Sequence, residues 1–273
     1  MSHFSACFLL VFAQLAVGGF VALAVPPFGI IERGFFKSSA GVFIGCAIIY
    51  IAGRIALVAR AGTVDTGGLV EIGLWIAFAT AATVYFITLW GDHARARARA
   101  FATSLLLGLL ALTASASVHR LGPLLSPATI LYPISFTTGA MTLGGVAAGM
   151  LLGHWYLSDL GLSIEPMRRL FRFFVTMTVA HIAVLLLTLL AMALTPGPSN
   201  AAVGTLLQDH AALLVARFAL GPLAALGLGW MIHRTLQIPQ TMAATGLFYI
   251  AILFVMVGEI LGRLILFRTS LPL

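Results

Sequence analysis

Six polar or charged side chains interrupt stretches of this sequence that are otherwise almost purely apolar. They are Gln14, Arg54, Glu71, Arg217, Glu259 and Arg263. An ionisable group inside lipid is costly, so it normally faces a bundle interior or a water-filled cavity and pairs with another group. Carboxylates can accept protons, while guanidinium and amide groups can donate hydrogen bonds to a small polar headgroup. We therefore predict a shared site that handles a headgroup, a proton or an ion.

The composition is that of an integral membrane protein. The 273 residues are 61% hydrophobic and only 8% charged, and the mean hydropathy is +1.09. Soluble domains carry roughly 25% charged residues, and even a small domain needs about 50 residues. Because no polar stretch here exceeds about 20 residues, we expect a single polytopic membrane domain over 1–273 and no separate soluble domain.

Eight apolar segments are long enough to cross the hydrocarbon core, which takes about 20 helical residues. They are 6–28, 40–60, 67–90, 100–118, 128–152, 171–194, 209–230 and 243–266. The runs are continuous and do not alternate, which favours helices over a barrel. The predicted fold is thus all-α with eight transmembrane helices.

Loop charges predict that both termini lie on the outer side. With that orientation nine basic residues fall in cytoplasmic loops, namely Arg33, Lys37, Arg95, Arg97, Arg99, Arg168, Arg169, Arg172 and Arg234. Only three fall outside, namely Arg60, Arg120 and Arg268. This positive-inside bias explains the net charge of +7 without a nucleic-acid partner, and the expected location is a bacterial cytoplasmic (inner) membrane. The run from Arg95 to Arg99 is most simply a topology signal, with binding of anionic lipid as the alternative.

A weak internal similarity relates the two halves of the chain. The first span carries Gln14-Leu-Ala-Val-Gly18-Gly19, and the fifth carries Met141-Thr-Leu-Gly144-Gly145. Two parallel four-helix repeats, 1–120 and 128–273, would explain it. Paired glycines also recur by chance in membrane helices, so both interpretations stay open.

The polar groups admit a structural interpretation as well as a functional one. Glu259 and Arg263 are spaced i,i+4, which puts them on one helix face where they can pair. Buried pairs can serve only to fix helix register. His154-Trp155-Tyr156 is either part of an interfacial aromatic belt or a second headgroup site.

We expect neither haem nor metal in this chain. Haem held by two histidines needs them at matching depth on facing helices, yet His154 and His181 differ in depth by about 15 Å. His119 and His210 match better in depth, but both fall in or beside loops and not within facing helices. The two cysteines, Cys7 and Cys46, have no metal-ligand spacing.

Three stretches resemble one family, the membrane-anchor subunits of dimethyl sulfoxide reductase, which belong with the polysulfide-reductase and NrfD-type membrane subunits. The first span resembles theirs over Phe12-Ala-Gln14-Leu-Ala-Val-Gly18-Gly19-Phe-Val-Ala-Leu23. The fifth resembles theirs from Thr142-Leu-Gly144-Gly145 to Gly153, and the last over Gly258-Glu259-Ile-Leu-Gly262-Arg263. The layout of eight spans with both termini outside is similar too.

The resemblance implies a subunit that binds menaquinone or ubiquinone near the outer face and exchanges electrons with an iron–sulfur subunit. A molybdopterin or cytochrome subunit would complete the complex. Glu71 corresponds to an acidic residue that matters for quinol in that family, so Glu71 or Glu259 would accept protons. Gln14, Arg54, Arg217, Arg263 and His154 would bind the headgroup. A proton-coupled transporter and a non-catalytic assembly subunit remain as alternatives.

Overall fold

The computed structural model describes residues 2–62, 65–120, 126–159, 161–238 and 240–273, with side chains from Phe4 onward. Every regular element in these ranges is helical. Six long helices come first: α1 (Ser2–Ala22), α2 (Arg33–Ala61), α3 (Thr66–Thr88), α4 (Ala94–Val118), α5 (Ala128–Trp155) and α6 (Glu165–Leu194). Then follow α7 (Pro198–Asp209), α8 (Ala211–Phe218), a π-helical segment (Ala219–Leu223), α9 (Ala224–Gln237) and α10 (Thr241–Thr269).

Eight helical stretches in the described part of the chain are long and apolar enough to cross a membrane. Seven are single helices, and the remaining one, Ala211–Gln237, joins α8, the π-helical segment and α9. The predicted all-α membrane architecture with eight spans is therefore confirmed in its number and type of elements. Because the number of spans is even, the last residues of α10 lie at the same end of the bundle as the first residues of α1. We call this end the terminal end.

Several helices extend beyond the predicted apolar segments. α2 begins at Arg33, α4 at Ala94 and α6 at Glu165, each about a turn or more before the predicted start. A helix does not stop where hydropathy falls, because its backbone hydrogen bonds continue into the polar boundary. The first span is shorter than predicted and ends at Ala22, since Pro26-Pro27 cannot continue a helix.

The two glycine motifs meet where α1 packs against α5. A Cβ added at Gly144 would lie 1.9 Å from the carbonyl carbon of Gly18. One added at Gly18 would lie 1.7 Å from the carbonyl oxygen of Ala140. Backbones this close exclude any side chain, which is the usual reason for small residues between membrane helices. The glycines thus set the spacing at the centre of the bundle.

The span Ala211–Gln237 is interrupted near its middle. Its π-helical segment contains Pro222, which has no N–H and cannot fit a regular α-helix interior. Gly221 in the same segment faces Gly258 of α10, and a Cβ at Gly258 would lie 2.4 Å from the Gly221 Cα. The bulge therefore accommodates the proline and lets the two helices approach closely, directly after Arg217.

Candidate functional site

The six polar residues predicted to share a site are divided between two clusters. The first, which we call the Glu71 cluster, consists of Tyr50 and Arg54 of α2, Glu71 and Trp75 of α3, and Ser115 of α4. The second, the Glu259 cluster, consists of Gln14, Thr138, His181, Arg217, Glu259 and Arg263. The expectation of one common site is thus corrected to two, because the spans of each half pack chiefly around their own polar groups.

The depths of the two clusters differ as well. At about 1.5 Å of rise per residue, Glu71 lies about 8 Å from the start of α3, and Glu259 lies about 15 Å from the end of α10. Both helix ends belong to the terminal end of the bundle. The Glu259 cluster is therefore the deeper of the two, near the middle of its helices.

In the Glu71 cluster, three donors surround one buried carboxylate. The Tyr50 hydroxyl and Ser115 Oγ, the latter at 2.6 Å, both donate to Glu71 Oε1. Arg54 Nη2 donates to Glu71 Oε2 at 2.5 Å. Hydrogen bonds from a charged arginine are stronger than those between neutral groups, so these contacts fix the orientation of the carboxylate.

Aromatic side chains hold the donors of this cluster in position. Trp75 Nε1 donates to Ser115 Oγ at 2.9 Å, which orients the serine. The rings of Tyr50 and Trp75 lie 4.5 Å apart.

The two members of the Glu71–Arg54 ion pair differ in exposure. The Glu71 side chain is only 3% exposed, whereas that of Arg54 is 23% exposed. Arg54 is thus the member of the pair that the surroundings can reach.

The Glu71 cluster faces a small cavity. Its volume is about 50 Å³, and Tyr50, Arg54 and Glu71 line it together with His119 and Phe267. The ring of His119 packs edge-on against that of Phe267, with centroids 5.2 Å apart. Burial lowers the pKa of His119 to about 4, so this imidazole is neutral at physiological pH. A space of this size and polarity suits a few water molecules.

In the Glu259 cluster, one carboxylate is shared by two arginines and an amide. Arg217 Nη2 donates to Glu259 Oε1 at 2.7 Å. Arg263 Nη2 and Gln14 Nε2 donate to Oε2 at 3.3 and 2.7 Å. The predicted i,i+4 contact between Glu259 and Arg263 is therefore present. All four side chains are fully buried.

His181 and Thr138 are the members of this cluster that the sequence did not identify as partners of the others. His181 Nδ1 lies 2.9 Å from Thr138 Oγ1. The other ring nitrogen, Nε2, lies 2.7 Å from Arg217 Nη2 and 3.1 Å from Glu259 Oε1. The tautomer of the imidazole sets which of these contacts it donates to. The signal in the sequence that could have identified His181 is a histidine within an otherwise apolar span.

The arginines of the Glu259 cluster retain unused donors. Arg217 Nε and both Nε and Nη1 of Arg263 are buried without a hydrogen-bond partner. Arg263 instead places its guanidinium 3.9 Å from the centroid of the Phe136 ring, a cation–π contact. A Cβ at Gly262 would lie 2.8 Å from Arg217 Nε, so glycine is needed for the arginine to fit.

His154 lies apart from both clusters. It occupies the last turn of α5, at the opposite end of that helix from Thr138, and it is exposed. The adjacent Trp155 packs against Gly34 and Phe35 of α2, and the Tyr156 hydroxyl donates to the Ser163 carbonyl at 2.5 Å. These contacts anchor the end of α5, and a headgroup role for His154 stays a prediction.

Within the part of the chain that the structure describes, no three His, Cys, Asp or Glu side chains are grouped to hold a metal ion. The fold and the two clusters together define a polytopic membrane protein with ionisable groups in its interior. No family model matches this chain, and no curated protein matches it either.

Proposed function

We propose that this chain is a membrane subunit of a respiratory redox complex, and that it binds the headgroup of a quinol or quinone at the Glu71 cluster. The observation that carries the proposal is a buried carboxylate which lines a cavity together with a tyrosine, an arginine and a histidine. A quinol site needs a proton acceptor, donors for the quinone oxygens, and an apolar slot. Glu71 is the proton acceptor, and Arg54 and Tyr50 are the donors. The aliphatic residues that line the cavity form the apolar slot.

Glu71 is the proton acceptor in this proposal, because Glu259 does not line the cavity. A quinol hydroxyl takes the place of the Tyr50 or Ser115 hydroxyl at Glu71 Oε1 and passes its proton there. Arg54 stays charged and orients both the carboxylate and the headgroup. Oxidation releases two protons and two electrons in all, and Glu71 accepts the two protons one after the other, passing the first to water in the cavity before it takes the second. The electrons pass to an iron–sulfur or cytochrome centre on a partner subunit, which in turn supplies a molybdopterin subunit or another acceptor.

Headgroup entry requires side chains to move. A cavity of about 50 Å³ accommodates water and not a quinone ring. Arg54 is the partly exposed wall of the cavity, and the methyl groups of Leu9 lie against Gly53 one residue before it. We propose that displacement of Leu9 and Arg54 opens the slot from the lipid side, since side-chain rotamer changes are common on binding.

The proposed orientation places both termini on the outer side of a bacterial cytoplasmic membrane, following the basic loops at the opposite end. Protons from the Glu71 cluster then leave on that outer side.

We also propose that 1–120 and 128–273 are two repeats. In support, α2, α3 and α4 build the Glu71 cluster, while the sixth, seventh and eighth spans supply most of the Glu259 cluster.

Intrinsic fluorescence tests the quinol site, because Trp75 lies beside Glu71. Titration of the purified chain with a short-chain menaquinone or ubiquinone should quench Trp75 emission saturably. Glu71→Gln should raise the Kd about tenfold or more, a loss of about 1.4 kcal/mol in binding. Glu32→Gln, an exposed carboxylate at the other end of the bundle, is the matched control. Saturable quenching that Trp75→Phe leaves unchanged would place the quinone elsewhere and overturn the assignment.

A second candidate, a proton-coupled carrier, is favoured by one observation. The π-helical segment interrupts a span directly after Arg217, and carriers use discontinuous helices next to buried charges. A carrier works alone, whereas a redox subunit needs its partners. The purified chain in liposomes loaded with a pH-sensitive dye should therefore transport no protons in response to a substrate gradient. Substrate-dependent acidification lost in Glu259→Gln would favour the carrier instead. A chain inactive in both assays that tolerates Glu71→Gln would be an assembly subunit.

A further inference from the structure

A second and larger cavity lies at the end of the bundle opposite the terminal end. Its volume is about 470 Å³, and it opens between the segment after α1, the end of α3, and the starts of α4 and α6. Its apolar wall includes Phe28, Tyr85 and Phe101. Because these residues lie within about two turns of the helix ends, the cavity is at the depth of the membrane boundary.

Two arginines form the charged side of this cavity, Arg97 of α4 and Arg169 of α6. The Arg97 guanidinium stacks over the Phe28 ring at 4.4 Å from the centroid, and Nη1 donates to the Gly91 carbonyl at 3.4 Å. Arg169 Nε donates to Glu165 at 3.1 Å, and a guanidinium has four further N–H groups. Both arginines are thus oriented by neighbours before any ligand binds.

The lining of the cavity is positively charged. Among the residues that the structure describes, Arg97 and Arg169 line it and no carboxylate does. Arg169 is paired at 3.1 Å with Glu165, which lies outside the lining, while Arg97 has no carboxylate partner among the ion pairs of the described residues. A positively charged lining favours an anionic ligand.

We propose that an anionic phospholipid binds here, with its phosphate between Arg97 and Arg169 and the start of its acyl chains on the aromatic wall. Arginine matches phosphate geometry with paired N–H groups. A free phosphate would not use Phe28, Tyr85 or Phe101, whereas a phospholipid uses both parts of the cavity. Among the arginines at 95, 97 and 99, only Arg97 lines the cavity and is half-buried, while Arg95 and Arg99 are exposed.

Native mass spectrometry of the full chain tests this site. The chain is extracted into mild detergent and supplied with phosphatidylglycerol or phosphatidylcholine. The wild type should retain one phosphatidylglycerol in preference to phosphatidylcholine. The Arg97→Gln/Arg169→Gln double variant should retain it about thirtyfold less, since each of the two basic residues near an anionic headgroup contributes about fivefold to binding. Arg97→Lys keeps the charge but loses the paired N–H geometry, so its retention should be intermediate.

Arg95→Gln/Arg99→Gln is the matched control, because it also removes two positive charges at this end of the bundle, from residues of α4 that do not line the cavity. It should retain phosphatidylglycerol as the wild type does. Equal loss in this control would mean a diffuse electrostatic effect and would overturn the proposal, as would equal retention of phosphatidylcholine by the wild type. Circular dichroism identifies variants that fail to fold, and Arg97→Gln alone then replaces the double variant.

Discussion

Glu259 forms ion pairs with two buried arginines, Arg217 and Arg263, and this role is independent of any ligand. Removing one member of a buried ion pair leaves an uncompensated charge, which costs about 3–5 kcal/mol. Glu259→Ala should therefore lower the unfolding temperature in detergent far more than Glu165→Ala, whose ion pairs are exposed. The triple variant Glu259→Leu/Arg217→Met/Arg263→Met, which removes the charges together, should recover part of the loss. Equal unfolding temperatures for the two single variants would contradict this account.

His119 should make the stability of the protein depend on pH. Burial lowers its pKa from 6.5 to about 4; the charge of Glu71 opposes this shift, while Arg54 and Arg263 reinforce it. The unfolded chain binds a proton near pH 6.5, but the folded chain does so only near pH 4. Stability should therefore fall as the pH drops from about 6.5 to about 4 and change little from this cause above that window.

Thermal unfolding across that pH range checks the prediction. His119→Gln should flatten the loss between about pH 6.5 and 4, whereas His93→Gln, an exposed histidine, should leave it as in the wild type. The prediction fails if the two variants show the same pH dependence.

At the scale of elements, the close approach of α1 and α5 organises the bundle. Gly18 and Gly144 bring the two backbones together, and Gln14 of α1 thereby reaches Glu259 across the α5 backbone at Gly139. A Cβ at Gly139 would lie 2.7 Å from Glu259 Oε2 and 2.8 Å from Gln14 Nε2. Small residues on α5 are thus what allow a side chain of the first half to contact the second cluster.

Gly144→Leu should disrupt this arrangement, because the new side chain would overlap the Gly18 backbone. Overpacking of this kind destabilises a protein by about 1–3 kcal/mol, and by more where the new side chain overlaps backbone atoms. We therefore expect a lower unfolding temperature in detergent than that of the wild type. Gly227→Ala is the control, since a Cβ there meets nothing within 4 Å. An unfolding temperature for Gly144→Leu at or above that of Gly227→Ala would show that the contact is not needed.

At the scale of the whole molecule, the even number of spans puts both termini on one side, and we predict from the basic loops that this side is the outer one. Single cysteines in a Cys7→Ala/Cys46→Ala background can check the assignment, as both native cysteines are buried. A membrane-impermeant thiol reagent should label Asp209→Cys in intact cells and Ser158→Cys only after permeabilisation. The reverse pattern would invert the topology and move the proposed quinol site to the inner side.

Much of the architecture followed from the sequence because hydropathy is a local property. A window of about 20 apolar residues is sufficient to identify a span, whatever that span packs against. The same local reasoning identified Gln14, Glu71, Glu259, Arg217 and Arg263 as buried polar groups and Arg54 as a partly buried one. It also found the Glu259–Arg263 pair, because i,i+4 spacing is fixed within one helix.

The partners of these groups were decided only by the tertiary structure. Ser115 and His181 lie on helices whose rotation and neighbours no periodicity in this chain specifies, since almost every face is apolar. Whether six polar groups form one site or two depends on which spans are adjacent, and α1 and α5 became adjacent through glycines far apart in sequence. The sequence by itself determined that the chain spans a membrane and buries charge, because lipid imposes these conditions on each segment separately. Helix packing decided which charges meet, because those contacts join segments that only the folded bundle brings together.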